Sequence, residues 1–157
     1  MKLIPAVKED LEFGRKVHHE AYREMVTRQY GSWDEPIQDQ FFTNTWFRHP
    51  HQIIVDEEND KCGYCAIERT DTEIVLREIA ILPHWQGRGI GSRIINSLIE
   101  EGHERGMPVK LNVMKTNSRA RKLYERLGFI QFDESDTHFL MERSCQNEGQ
   151  DGVVECP

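Results

Sequence analysis

The chain has 157 residues, 38% hydrophobic and 30% charged, with a formal net charge of −7. That length suits one domain around one core, and the acidity weighs against a general nucleic-acid binder, which needs a basic face; it is compatible with a cationic or amine substrate, plain solubility being the commoner reason for such a charge. No apolar run approaches the roughly 20 residues of a membrane helix, and M-K-L-I-P-A-V-K-E-D lacks the apolar core of a signal peptide, so cytoplasmic residence without a membrane partner is expected.

Lys2 to Ile4 reads as a short strand. Leu11, Val17, His18, Ala21, Tyr22, Met25 and Val26 then recur at helical spacing, with Gly31 as the stop. Asp34 can cap a second helix and Pro36 suits its first turn. Its face carries Ile37, Phe41, Phe42 and Trp46. His49-Pro50-His51 breaks the pattern. Strands are expected over Gln52 to Asp56, Lys61 to Arg69 and Glu73 to Leu82, at hairpin spacing. A helix from about Ile90 ends at Gly106, and the strand Val109 to Met114 follows it, so a parallel right-handed crossover is expected. Asn117 opens a further helix, stopped at Gly128. Phe129 to Phe132 and Thr137 to Glu142 read as closing strands. Residues 144–157 lack periodicity and read as a disordered tail after a single domain over residues 1–143.

Cys62-Gly-Tyr-Cys65 has the spacing of zinc and redox sites, but its strand context turns the two thiols to opposite faces and no second pair completes a site. Reduced thiols and no metal are expected, for Cys145 and Cys156 as well.

The stretch from Ile79 to Ser92, I-A-I-L-P-H-W-Q-G-R-G-I-G-S, takes an apolar strand through a glycine-rich turn into a helix. The first N–H groups of a helix lack intrahelical partners and carry partial positive charge. Glycine lets an anion approach them, which makes a phosphate cradle; Arg88 can add a charge and Ser92 a hydroxyl donor. The Walker ending Gly-Lys-Ser/Thr is absent. The dinucleotide fingerprint fails at Ser92 if begun at Gly87, and at Ile94 if begun at Gly89. What remains is Q-x-x-G-x-G, from Gln86 through Gly89 to Gly91. It resembles the acyl-coenzyme A pyrophosphate loop of the GNAT superfamily of N-acetyltransferases.

A second match supports the resemblance: Asn117-x-x-Ala120-x-x-x-Tyr124-x-x-x-Gly128-Phe129 looks like that family's asparagine, tyrosine and Gly-Phe segment. The strand and helix order agrees over residues 2–143. The resemblance implies an α+β fold with a mixed sheet, in the order β-α-α-β-β-β-α-β-α-β-β. It also implies an acetyl-CoA-dependent N-acetyltransferase, with acetyl-CoA as cosubstrate and an amine as acceptor. Backbone groups at Ile81 and Leu82 would hold the pantetheine arm. The stretch Gln86, Gly87, Arg88, Gly89, Ile90, Gly91 and Ser92 would hold the pyrophosphate. Asn117, with Ala120 in the same motif, would meet the pantetheine. Homodimers are common among such lookalikes.

Acetyl transfer to an amine needs a deprotonated nucleophile, a polarised carbonyl and a stabilised leaving thiolate. Tyr124 matches the tyrosine that sits by the sulfur and is the candidate acid; the plain alternative is a helix tyrosine packed on the sheet. Glu78 is the candidate base, with a strand-edge salt bridge as its equal alternative. In some relatives the glutamate falls where Arg77 stands, and alternation sends the two side chains to opposite faces. Tyr22, Trp33, Asp34 and His138 are candidates for a small cationic amine acceptor, each with packing or capping as its plain reading. A coenzyme A-binding sensor without turnover is the alternative from another class.

Overall fold

The computed structural model describes residues 1–145. Strands β1 (Lys2–Pro5), β2 (His51–Val55), β3 (Lys61–Arg69), β4 (Ile74–Ile81), β5 (Val109–Met114), β6 (Ile130–Glu134) and β7 (His138–Arg143) alternate with helices α1 (Leu11–Tyr30), α2 (Glu35–Arg48), α3 (Ile90–Arg105) and α4 (Ser118–Arg126). They form a mixed seven-stranded sheet in the order β1-β2-β3-β4-β5-β7-β6. This is the expected α+β class. The glycines read as helix stops, Gly31, Gly106 and Gly128, all have left-handed φ. Among the described residues, no helix is long and apolar enough to cross a membrane.

The chain divides into two compact units. Among the described residues, one comprises Met1–Glu68 and Arg77–Ile90; the other comprises Arg69–Leu76 and residues 91–145.

In the first unit, β1 pairs antiparallel with β2 and β2 with β3. Val17, Phe42, Trp46, Ile53, Val55, Tyr64, Ala80 and Leu82 form its core. Asp34 caps α2 by accepting the Ile37 N–H at 3.0 Å, as its place before Pro36 predicts. Gly63 is dictated by crowding: a Cβ there would lie 2.1 Å from the Ala80 carbonyl oxygen. Cys62 and Cys65 are buried, reduced thiols.

In the second unit, β4 pairs with β5 in parallel at Ile74↔Val109, Val75↔Lys110 and Leu76↔Leu111, the orientation expected across a helical crossover. β7 lies antiparallel to β5 and to β6. Ile94, Ile95 and Leu98, at i, i+1 and i+4, form the buried stripe of α3. Cys145 carries a disulfide, which corrects the expectation of a reduced thiol there. Of the expected tail over residues 144–157, residues 146–157, with Cys156, lie outside the described residues.

Candidate active site

The glycine-rich turn forms as its sequence dictates. Leu82 N–H donates to the Cys62 carbonyl at 2.9 Å, and Pro83–Trp85 then make a single 3₁₀ turn. Gly87 and Gly89 have φ of +75° and +80°. A Cβ on Gly89 would meet nothing within 4 Å, so the backbone angle, not space, demands glycine. The chain enters α3 at Ile90, with Gly91 and Ser92 in its first turn. The first N–H groups of that 16-residue helix have no partner within the helix and carry partial positive charge. Two flanking side chains already have contacts. The Gln86 amide donates to the Ile81 carbonyl at 2.9 Å, and the Arg88 guanidinium lies 4.7 Å from the Trp85 ring centroid.

Alternation along β4 separates Arg77 from Glu78. Arg77 turns outward and its Nε donates to Glu68 at 2.7 Å. Glu78 turns inward, its side chain 13% exposed. Its Oε1 accepts the Tyr64 hydroxyl at 2.8 Å, and its Oε2 lies 3.4 Å from His51 Nε2. His51 Nδ1 lies 2.7 Å from the His49 carbonyl oxygen, and the Trp46 ring stacks on the imidazole at 4.5 Å. Burial, then the Glu78 charge, pushes the Tyr64 phenol well above its usual range. Glu78 is therefore part of an internal polar network and not a strand-edge ion pair. Sequence reasoning missed both of its partners. His51 was read as part of a breaker, and Tyr64 faces Glu78 only through strand pairing that the sequence does not display.

Of the acceptor candidates, Tyr22 lies beside this network and donates to the Ile79 carbonyl at 3.1 Å. Its ring is 5.0 Å from that of His18, whose imidazole burial keeps more easily deprotonated than usual. Trp33 packs edge-on to His19 at 5.3 Å, and Arg23 covers its ring at 5.3 Å. Asp34 serves as the α2 cap. The neighbouring acid Asp39 accepts from His19 at 2.7 Å and lies 3.7 Å from Arg15. His138 belongs to the second unit. It pairs with Met114 across β5 and β7, and its Nδ1 lies 2.7 Å from the Thr137 hydroxyl.

Also in the second unit, Asn117 caps α4, its Oδ1 accepting the Ala120 N–H at 3.2 Å. That contact accounts for the three-residue spacing of the pair. Tyr124 is 6% exposed, and burial pushes its phenol up to about 12. Phe129 N–H returns to the Tyr124 carbonyl at 3.0 Å through the left-handed Gly128. The Tyr-x-x-x-Gly-Phe spacing is thus a helix stop that fixes the tyrosine's helix end.

Comparison with known proteins gives the family and the fold. The pattern described as the acetyltransferase (GNAT) family matches residues 18–129. The [ribosomal protein bS18]-alanine N-acetyltransferase of Haemophilus influenzae is 34% identical over 77 residues, 49% of this chain and 53% of that protein. The thialysine N-epsilon-acetyltransferase of Bos taurus is 36% identical over 64 residues, 40% of this chain and 38% of that protein. The chain thus spans about half or less of the length of these curated relatives. The crystal structure of the PaiA N-acetyltransferase of Thermoplasma acidophilum, in complex with coenzyme A, superposes with a TM-score of 0.72 at 16% identity. It covers 92% of this chain and 99% of that one, a likeness of fold.

Proposed function

The chain belongs to the GNAT acetyltransferase family, and we propose that it moves the acetyl group of acetyl-CoA to a primary amine, with residues 1–143 acting as one such domain in the cytoplasm. The observation that carries this reading is the turn from Gln86 to Ser92. Two left-handed glycines lead from a strand end into a 16-residue helix, whose first N–H groups have no partner within the helix. In the proposal those amides bind the coenzyme A pyrophosphate, with Arg88 adding charge. Backbone groups of Ile81 and Leu82 bind the pantetheine arm, and the Asn117 amide adds a donor from the Ala120 segment.

The amine attacks the thioester carbon; a C–N bond forms and the C–S bond breaks. Glu78 accepts the amine proton, directly or through water. A backbone N–H near Ile81 polarises the carbonyl. The Tyr124 phenol, at about 12, lies about 3.5 pKa units above an ordinary thiol near 8.5, so full transfer to the thiolate is uphill by about 5 kcal/mol. Its role is to donate a hydrogen bond while charge builds on sulfur, with the proton moving late.

For the acceptor, the proposal is a small cationic amine met near Tyr22 and Trp33, with Asp34 contributing charge and His138 on the acceptor side. The relatives named above act on a protein alanine and on thialysine, so both chemistries belong in the test. Acetyl-CoA-dependent thiol release is measured with a panel of polyamines, amino acids, thialysine and alanine-ended peptides. Saturable release with a small amine is the expected result. Acetyl-CoA binding with no release across the panel would instead identify a coenzyme A-binding sensor. No binding at all would end the proposal.

A further inference from the structure

We infer that the outer face of α2 docks a second copy of this chain, the two α2 helices packing antiparallel about a two-fold axis at Phe41. The inference goes beyond the proposed reaction and does not rest on it. It starts from a helix that is apolar on two sides. Phe42 and Trp46 enter the core, while Ile37, Phe41 and Phe47 stand 60%, 61% and 73% exposed. Exposed apolar residues scattered singly are ordinary, so the pattern of charge around them has to decide.

Asp34, Ile37, Phe41, Asn44 and Arg48 follow one another at intervals of three, four, three and four residues. That spacing lines them up on one stripe of the helix and its cap. An acid stands at the N-terminal end, two apolar side chains in the middle and a base at the C-terminal end. Phe41 is seven residues from each charge, so the stripe is complementary to its own reversed copy. With Phe41 on the axis, Asp34 of each copy faces Arg48 of the other, and the same contact is made twice. A parallel pairing would set like charges side by side. Antiparallel packing also opposes the two helix dipoles.

The charges at the two ends have capacity for these contacts. Asp34 uses Oδ1 to cap the Ile37 N–H. Among the described residues Arg48 is exposed and makes no ion pair. The other acids of α2 are engaged within the chain: Glu35 lies 3.5 Å from His19, and Asp39 lies between His19 and Arg15. A wholly basic or wholly acidic partner would suit one end of the stripe and be repelled by the other. A second copy suits both.

The contact is small. A 14-residue helix offers a face about 21 Å long and about 10 Å wide, well under the roughly 800 Å² per partner of a standard interface. The dimer is therefore reversible and concentration-dependent.

The test is sedimentation velocity of the full chain without acetyl-CoA, from about 1 µM to about 1 mM, with a dimer Kd expected between about 10 µM and 1 mM. Phe41→Lys places two ammonium groups on the axis and should raise that Kd at least about 30-fold. Arg48→Glu sets carboxylate against carboxylate at both ends and should raise it about 10-fold. Phe47 lies about 120° round the helix from Phe41, so Phe47→Lys should leave the Kd within about 3-fold of wild type. Circular dichroism checks that each variant is folded, and Arg48→Glu serves alone if Phe41→Lys is not. A wild type that stays monomeric at the highest concentration would overturn the inference. So would a dimer that Phe41→Lys leaves intact, or one that Phe47→Lys weakens as much. A Kd unmoved by Arg48→Glu would overturn the antiparallel pairing. None of these outcomes depends on thiol release, so they stay distinct from success or failure of the proposed reaction.

Discussion

Tyr124 shows how one side chain's surroundings set its chemistry. Its burial, and not a charged neighbour, holds the phenol neutral up to about 12. Tyr124→Phe keeps the ring and removes the donor, so kcat for acetyl transfer should fall roughly 100-fold with the Kd for coenzyme A nearly unchanged. Steady-state rates beside calorimetric binding check this, and unchanged turnover would remove Tyr124 from the reaction. The same burial has a consequence for stability. Above pH of about 10 the unfolded chain ionises this tyrosine while the folded chain keeps it protonated. The unfolded state then binds fewer protons, and stability falls by about 1.4 kcal/mol per pH unit for this one group until the folded value is reached. Urea midpoints between pH 8 and 11 should show that fall, and Tyr124→Phe should make it shallower; equal slopes would contradict the burial argument. Tyr124 and Asn117 were legible as site candidates because their spacing resembles a family motif. His51 was not. Its contact with Glu78 comes from what lies across from it in space, and no local pattern in His49-Pro50-His51 carries that.

The helices and strands were legible where a residue type has a single local use. Asp34 before Pro36, the glycine stops and the polar turn before Lys61 mark element ends through capping and backbone angles, which act within a few residues. The strand edges moved by one residue or so, as at His51, where pairing with Ala66 extends the ladder beyond the expected Gln52. Two glycines separate the two physical reasons for the residue. At Gly89 an added Cβ meets nothing, so Gly89→Ala carries only the left-handed backbone cost of about 1–2 kcal/mol, and by straining the turn it should weaken coenzyme A binding. At Gly63 the Cβ would be driven into the Ala80 carbonyl, so Gly63→Ala should cost about as much or more through the displaced strand, and this was invisible in the sequence. Chemical denaturation of both variants, with coenzyme A titration of Gly89→Ala, checks the pair. Undiminished coenzyme A affinity in Gly89→Ala would argue against the turn as the pyrophosphate site.

At the level of the whole molecule, the sheet order was the least legible feature. The parallel β4–β5 pair follows from the helix between them, but the insertion of β7 between β5 and β6 depends on long-range pairing that no local signal encodes. Binding should be visible globally. A ligand present at 100 times its Kd stabilises by about 2.7 kcal/mol, so acetyl-CoA should raise the Tm by roughly 5–10 °C, and more than ATP or NAD does; the reverse order would favour a different nucleotide. The most direct measurement follows the acetyl group itself. With acetyl-CoA labelled with ¹³C in the acetyl carbons and the amine panel, mass spectrometry should find the label on an amine nitrogen, one acetyl for each coenzyme A thiol released. Label that stays on coenzyme A, or leaves only as acetate, would contradict the account.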